Sequence, residues 1–148
     1  SNTNWVITEV QVPVLSVPID AKSKKIKTIG FTTRYREKDK AELRKVLKIA
    51  KKTNAKVKSL YVRSSNTDVS DMTIKEWETE FANENVEFLV LPSDEVKETI
   101  LDFILFKDID NLTTITHKRS FFESIFDTSF SRKITKEVSI PVLVMHVN

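Results

Sequence analysis

The residues best suited to hold a charged ligand form one run, Thr116-His117-Lys118-Arg119. An arginine can grip a phosphate or carboxylate as a two-pronged fork, and a lysine adds a compact point charge. The run follows Asn111 to Thr116, which reads as a buried strand. Further on, Ser129 opens a short helix whose first turn would add free N–H groups and partial positive charge. In an open parallel sheet, ligands settle beyond the carboxyl ends of the strands where the chain order reverses. The loop after Thr116 is therefore the place to expect an anion. The competing reading is a solvated loop whose cations meet Glu123 or Asp127, with Ser129 a plain helix cap.

Catalysis finds little support. The chain has no cysteine, one glycine and two histidines, which removes thiolate chemistry and disulfides. His117 and His146 stand alone, without the ligand spacing a metal needs, so no metal site is expected. Gly30 is the one glycine, so neither G-x-G-x-x-G nor a P-loop exists. Asp108 and Asp110 read as a turn, not as an acid–base pair. The chain is expected not to be an enzyme and to carry no cofactor.

The surrounding elements alternate. Strands are predicted at Ile26–Thr32, Val57–Val62, Val86–Leu91, Leu112–Thr116 and Ile140–Val147. Between them lie helical spacings: Arg36–Thr53 with Asn54 as its stop, Asp71–Glu84, a helix from Ser93 or Asp94 through Leu105, and Ser129–Val138. Such alternation predicts a three-layer α/β/α fold with a five-stranded parallel sheet. Phe121, Phe122, Phe126 and Phe130 read as core or interface, and Trp5 and Trp77 as packing anchors.

A chain of 148 residues suits one domain with a sizeable core. Its net charge of +3 is too balanced to argue nucleic-acid binding, and its lysine clusters read as solvated faces. No apolar run approaches ~20 residues, so no membrane span is expected. No signal peptide is expected either, and Ser1-Asn2 reads as a tag scar, with 1–3 as flank. An extra N-terminal strand, Val10 to Val17, repeats the chain's end. Glu9 to Val17 and Glu137 to Met145 share the pattern E-V-x-[VI]-P-V-L-x-[VM], with Pro13 and Pro141 lying 128 residues apart. This suggests two tandem copies, with 4–23 the terminal strand of a preceding repeat plus linker and 24–148 the second domain. Whether residues 5–18 pair in their own sheet or with a neighbour is open.

Three stretches together resemble the universal stress protein family. They are Ile29-Gly30-Phe31-Thr32-Thr33, the unit from Ser129-Phe130-Ser131-Arg132-Lys133-Ile134 to Ile140-Pro141-Val142-Leu143-Val144, and the T-H-K-R-S-F-F run. The last is similar to a loop of two-domain members of the Bacteroidetes type. The resemblance implies an adenine nucleotide alpha hydrolase-like sheet of order 3-2-1-4-5. It further implies a cytoplasmic stress-response protein, and a homodimer or tandem pseudo-dimer joined through the last strand. Many members bind ATP through an acidic residue after the first strand and a G-x-x-G-x9-G-[ST] loop after the fourth. Here the acidic position falls on Thr32 or Thr33, the glycines fall near Ile115, Lys118 and Thr128, and Ser129 matches the hydroxyl residue. Side chains then occupy the volume a triphosphate would need. The expectation is a non-catalytic dimerisation and regulatory module with a degenerate nucleotide site, ATP disfavoured, and neither nucleic acid nor membrane as partner. The alternative is a sensor of ATP or another small phosphorylated ligand, held by Thr32, Thr33, Val62, Thr116, His117, Lys118, Arg119 and Ser129.

Overall fold

The computed structural model describes residues 14–17, 25–67, 69–117 and 128–147. Five parallel strands form the sheet: β2 (Thr28–Thr32), β3 (Lys56–Arg63), β4 (Val86–Pro92), β5 (Asn111–His117) and β6 (Val142–Val147). A short strand β1 (Val14–Ser16) completes the sheet, in the order β1-β6-β5-β2-β3-β4. Counted from β2, the parallel strands stand in the order 3-2-1-4-5, as expected. β1 joins its own sheet, antiparallel to β6, with Leu15 opposite Leu143. That resolves residues 14–16 of the N-terminal strand; the rest of 5–18, apart from Val17, lies outside the described residues.

Helices cover both faces: α1 (Asp39–Thr53), α2 (Asp71–Glu80), α3 (Val96–Phe106) and α4 (Thr128–Glu137). Side chains alternate along a strand, so β3 serves two cores. Val57 and Tyr61 face α1 and α2, packing with Leu43, Val46, Ile74 and Trp77. Leu60 and Val62 face α3 and α4, packing with Ile100, Phe103, Phe130 and Ile134.

Sequence explains the helix ends. α1 buries Leu43, Val46, Leu47 and Ala50, one stripe at helical spacing. Asn54 stops it in a left-handed conformation, φ 61°, and Ala55 N–H then bonds the Ala50 carbonyl at 2.8 Å. Ser70 caps α2, its hydroxyl accepting from Thr73 N–H at 3.2 Å. α2 ends at Glu80, short of the expected Glu84. Phe81 leaves helical geometry and turns its ring into the core beside Trp77, centroids 5.7 Å apart. Ion pairs from Lys40 and Arg44 to Glu80 tie α1 to α2. The Lys40 ammonium holds the Glu80 carboxyl below its ordinary range. That small contribution is present at neutral pH and fades as pH falls through the lowered value.

Gly30 and Asp110 fix the middle of the sheet. A β-carbon on Gly30 would stand 2.8 Å from Ile109 Cγ2 and 3.0 Å from Phe103 Cε2, so α3 sits on β2 only because that position is bare. The Asp110 carboxylate accepts the N–H groups of Lys27 and Thr28, both at 2.9 Å, after a left-handed Asp108. The aspartate turn thus anchors the start of β2. Phe130 is buried as expected, while Trp5, Phe121, Phe122 and Phe126 lie outside the described residues. Among the described residues no helix is long and apolar enough to cross a membrane.

Candidate functional site at the strand reversal

The chain leaves β2 toward β3 and β4, but leaves β5 toward β6. The carboxyl ends of β2 and β5 therefore flank the point where the winding reverses, and a crevice opens between them. Thr32 lies opposite Thr114 there. The Thr32 hydroxyl donates to Thr114 Oγ1 at 2.6 Å, with both residues buried. The next residue, Thr33, donates its N–H to the Leu60 carbonyl and accepts from Tyr35 N–H at 2.9 Å. Both threonine side chains are thus engaged in holding the loop and strands together.

Beyond them the chain makes an unusual turn. Tyr35 adopts φ 57°, a left-handed conformation that costs a bulky residue on the order of 1–3 kcal/mol. Packing holds it there. Its ring meets Tyr61 edge-on at 5.4 Å and Trp77 at 5.0 Å, and only 4% of the residue is exposed. Burial, and then the charge of Glu78, push its phenol far above the ordinary tyrosine range. Its hydroxyl has no hydrogen-bond partner among the described residues. Arg34, between Thr33 and Tyr35, is buried at the same strand end.

The sequence-predicted residues are brought together only in part. Thr32 and Thr33 form the β2 wall. Thr116 and His117 end β5 as strand backbone, opposite His146 and Val147 of β6. Val62 lies on β3, its side chain buried in the core under α3. Ser129 is exposed in the first turn of α4. Lys118 and Arg119 lie outside the described residues. Sequence reading missed Arg34, Tyr35 and Thr114. The signal was available for the first two, because Thr-Thr-Arg-Tyr directly follows the first parallel strand.

Among the described residues no cluster of three or more histidine or acidic side chains could hold a metal. A shallow groove of about 720 Å³ lies away from the crevice, between α1 and α2, lined by Lys40, Asp71, Met72, Lys75, Glu76, Thr79 and Glu80. Along the described residues the wall of the crevice is a buried polar seam, Thr32 against Thr114. Thr32→Val should destabilise the chain by about 1–3 kcal/mol, because the buried Thr114 hydroxyl loses its partner. Thr32→Val/Thr114→Val should recover most of that, since both polar groups then leave together. Urea denaturation of the two singles and the double checks it; an uncoupled pair would show additive losses.

Over 97% of its length the chain superposes on a universal stress protein from Archaeoglobus fulgidus DSM 4304, with a TM-score of 0.71 and 13% identity. The fold is that of the universal stress proteins. The chain covers 53% of that protein, so it spans about half its length. A universal stress protein solved in complex with cAMP matches 83% of this chain at TM-score 0.57 and 12% identity. One from Lactobacillus plantarum matches 85% at TM-score 0.57 and 13% identity. No family model matches the sequence, and no curated protein does. The order of strands, the reversal between β2 and β5, and the two-sided helix cover are what this chain shares with the universal stress fold.

Proposed function

We propose that the chain is a universal stress-type domain acting as a non-catalytic dimerisation and regulatory module in a cytoplasmic stress response, with a degenerate nucleotide site. The observation that carries this reading is the buried polar seam along the described wall of the crevice. Thr32 bonds Thr114 across the strand reversal, and Tyr35 folds back into the core immediately beyond. A nucleoside phosphate needs close backbone approach there, and the sequence has no glycine in either flanking segment. No side chain of the seam is set as a nucleophile beside a base, so the module works by association, not by turnover. It belongs to a tandem pair or a homodimer joined through β6. The half-length match to the Archaeoglobus protein and the repeat around Pro13 and Pro141 support the tandem arrangement.

A second reading keeps a specific ground. His117 ends β5 at the reversal point, Lys118 and Arg119 follow it in the sequence, and one structural relative was solved with cAMP. On that reading the domain senses ATP, cAMP or another small phosphorylated ligand. Thermal unfolding with ATP and cAMP separates the two. A ligand at one hundred times its dissociation constant adds about 2.7 kcal/mol, which would move the midpoint by several degrees. The module reading expects no shift. A shift abolished by Lys118→Ala/Arg119→Ala would establish the sensor instead.

A further inference from the structure

We propose that a ligand site lies at the opposite end of the sheet from the crevice, and that it takes a small zwitterion, a free amino acid. The loop after α1 enters β3 and the loop after α2 enters β4, so both arrive at the amino ends of neighbouring parallel strands. Between them lies a pocket of about 260 Å³, lined by Lys51, Asn54, Asn83, Glu84 and Asn85. One small space thus gathers a cation, an anion and three carboxamides. Among the described residues none of these side chains makes a hydrogen bond or an ion pair.

The loops are built without those side chains. Asn54 N–H reaches the Ala50 and Lys51 carbonyls, and Ala55 N–H bonds the Ala50 carbonyl at 2.8 Å. Glu84 N–H donates to the Phe81 carbonyl at 3.0 Å, and Val86 N–H to the Glu84 carbonyl at 2.9 Å. Val57 N–H crosses to the Asn85 carbonyl at 3.1 Å and ties one loop to the other. Asn54 answers to its left-handed backbone, but Asn83 and Asn85 do not, for neither has a positive φ. Asparagines in turns commonly bond their own backbone through the side chain. Here the main chain does that work alone, which leaves both amides available to a ligand. A frame already fixed loses little freedom on binding.

The two charges select the ligand class. Lys51 and Glu84 share the pocket without pairing with each other. A molecule bearing both signs can offer its carboxylate to Lys51 and its ammonium to Glu84 in one pose. The carboxamides both donate and accept, so they can meet the remaining lone pairs and protons. The rest of the lining, Leu47, Ala50 and Ala55, is apolar and buried, and suits a short aliphatic stem. A phosphate would meet Glu84 as a like charge. The volume also falls below the roughly 300–1,000 Å³ that drug-sized ligands occupy. A neutral sugar would leave both charges unanswered.

Heteronuclear NMR of the full chain tests this with the common L-amino acids, each at about 10 mM, enough to fill a millimolar site. At least one should give saturable shifts centred on Lys51, Asn54 and Asn83 to Asn85, while Thr32 and Thr114 stay still. Lys51→Met and Glu84→Gln should each weaken that amino acid about tenfold or more. Both side chains are exposed, so the rest of the spectrum should keep its folded dispersion. The matching hydroxy acid and the matching amine, each lacking one charge, should weaken to a similar degree. Glucose should leave the spectrum unchanged. No saturable shift from any amino acid overturns the proposal. So does binding of glucose at the same residues, or undiminished affinity in either variant. A nucleotide-induced thermal shift would defeat the module reading without touching any of these outcomes.

Discussion

Trp77→Ala should lower the melting temperature by roughly 10 °C, the largest loss expected from any single side chain here. A buried tryptophan truncated to alanine costs about 3–5 kcal/mol, and in a domain near this size each kcal/mol moves the midpoint by roughly 2–4 °C. Trp77 is 1% exposed and lies at the centre of an aromatic group. Tyr35 meets it edge-on, Phe81 lies tilted beside it, and the Lys40 ammonium stands 5.8 Å from its ring centre. It is also the main anchor of α2, which otherwise buries Ile74 and is tied by surface ion pairs worth little alone. Losing the ring should release Tyr35 from its left-handed turn as well, loosening the loop after β2. Calorimetry measures the midpoint, and Trp77→Phe should lose less than half as much. A loss below about 1 kcal/mol would mean that α2 is held by something other than its aromatic face.

Gly30→Val should destabilise the chain by about 3 kcal/mol, at the upper end of what overpacking costs. Its first added carbon already conflicts with Ile109 Cγ2 at 2.8 Å, Phe103 Cε2 at 3.0 Å and Leu112 Cδ1 at 3.3 Å. Those atoms belong to the helix end, turn and neighbouring strand that meet over β2, so none can yield alone. Ile109→Ala removes the nearest atom and should rescue part of the loss, making the double substitution less harmful than the sum of the singles. Urea titration of the four proteins gives the coupling. If Gly30→Val is tolerated, the contact between α3 and β2 is looser than these distances state.

Much of this architecture was legible because its signals are local. The alternation of strand and helix, the stop at Asn54 and the turn at Asp108 to Asp110 each rest on residues close together in sequence. The end of α2 was misjudged because Glu80 to Glu84 has helical composition, while the burial of Phe81 against Trp77 is a tertiary effect that periodicity does not show. The candidate site was less legible. Cations drew attention to the loop after β5, yet the described wall of the crevice is made by Thr32, Thr114 and Tyr35. Thr32 and Thr114 are 82 residues apart and meet only through strand register. A left-handed tyrosine leaves no mark in composition. Nor could the sequence say where β1 would lie, since a repeat reveals kinship between segments but not the register in which they pair.

The two margins of the sheet differ in a way that bears on handling the protein. β1 hoods the β6 margin, whereas among the described residues no strand pairs with the outer side of β4. β4 reads Val-Glu-Phe-Leu-Val-Leu-Pro, with Glu87 its one charge. Such a bare apolar border is a template for fibre growth once the molecule is concentrated, heated or partly opened. Precipitation on storage would then start at Val86–Leu91, and a lysine there would be the first remedy to try.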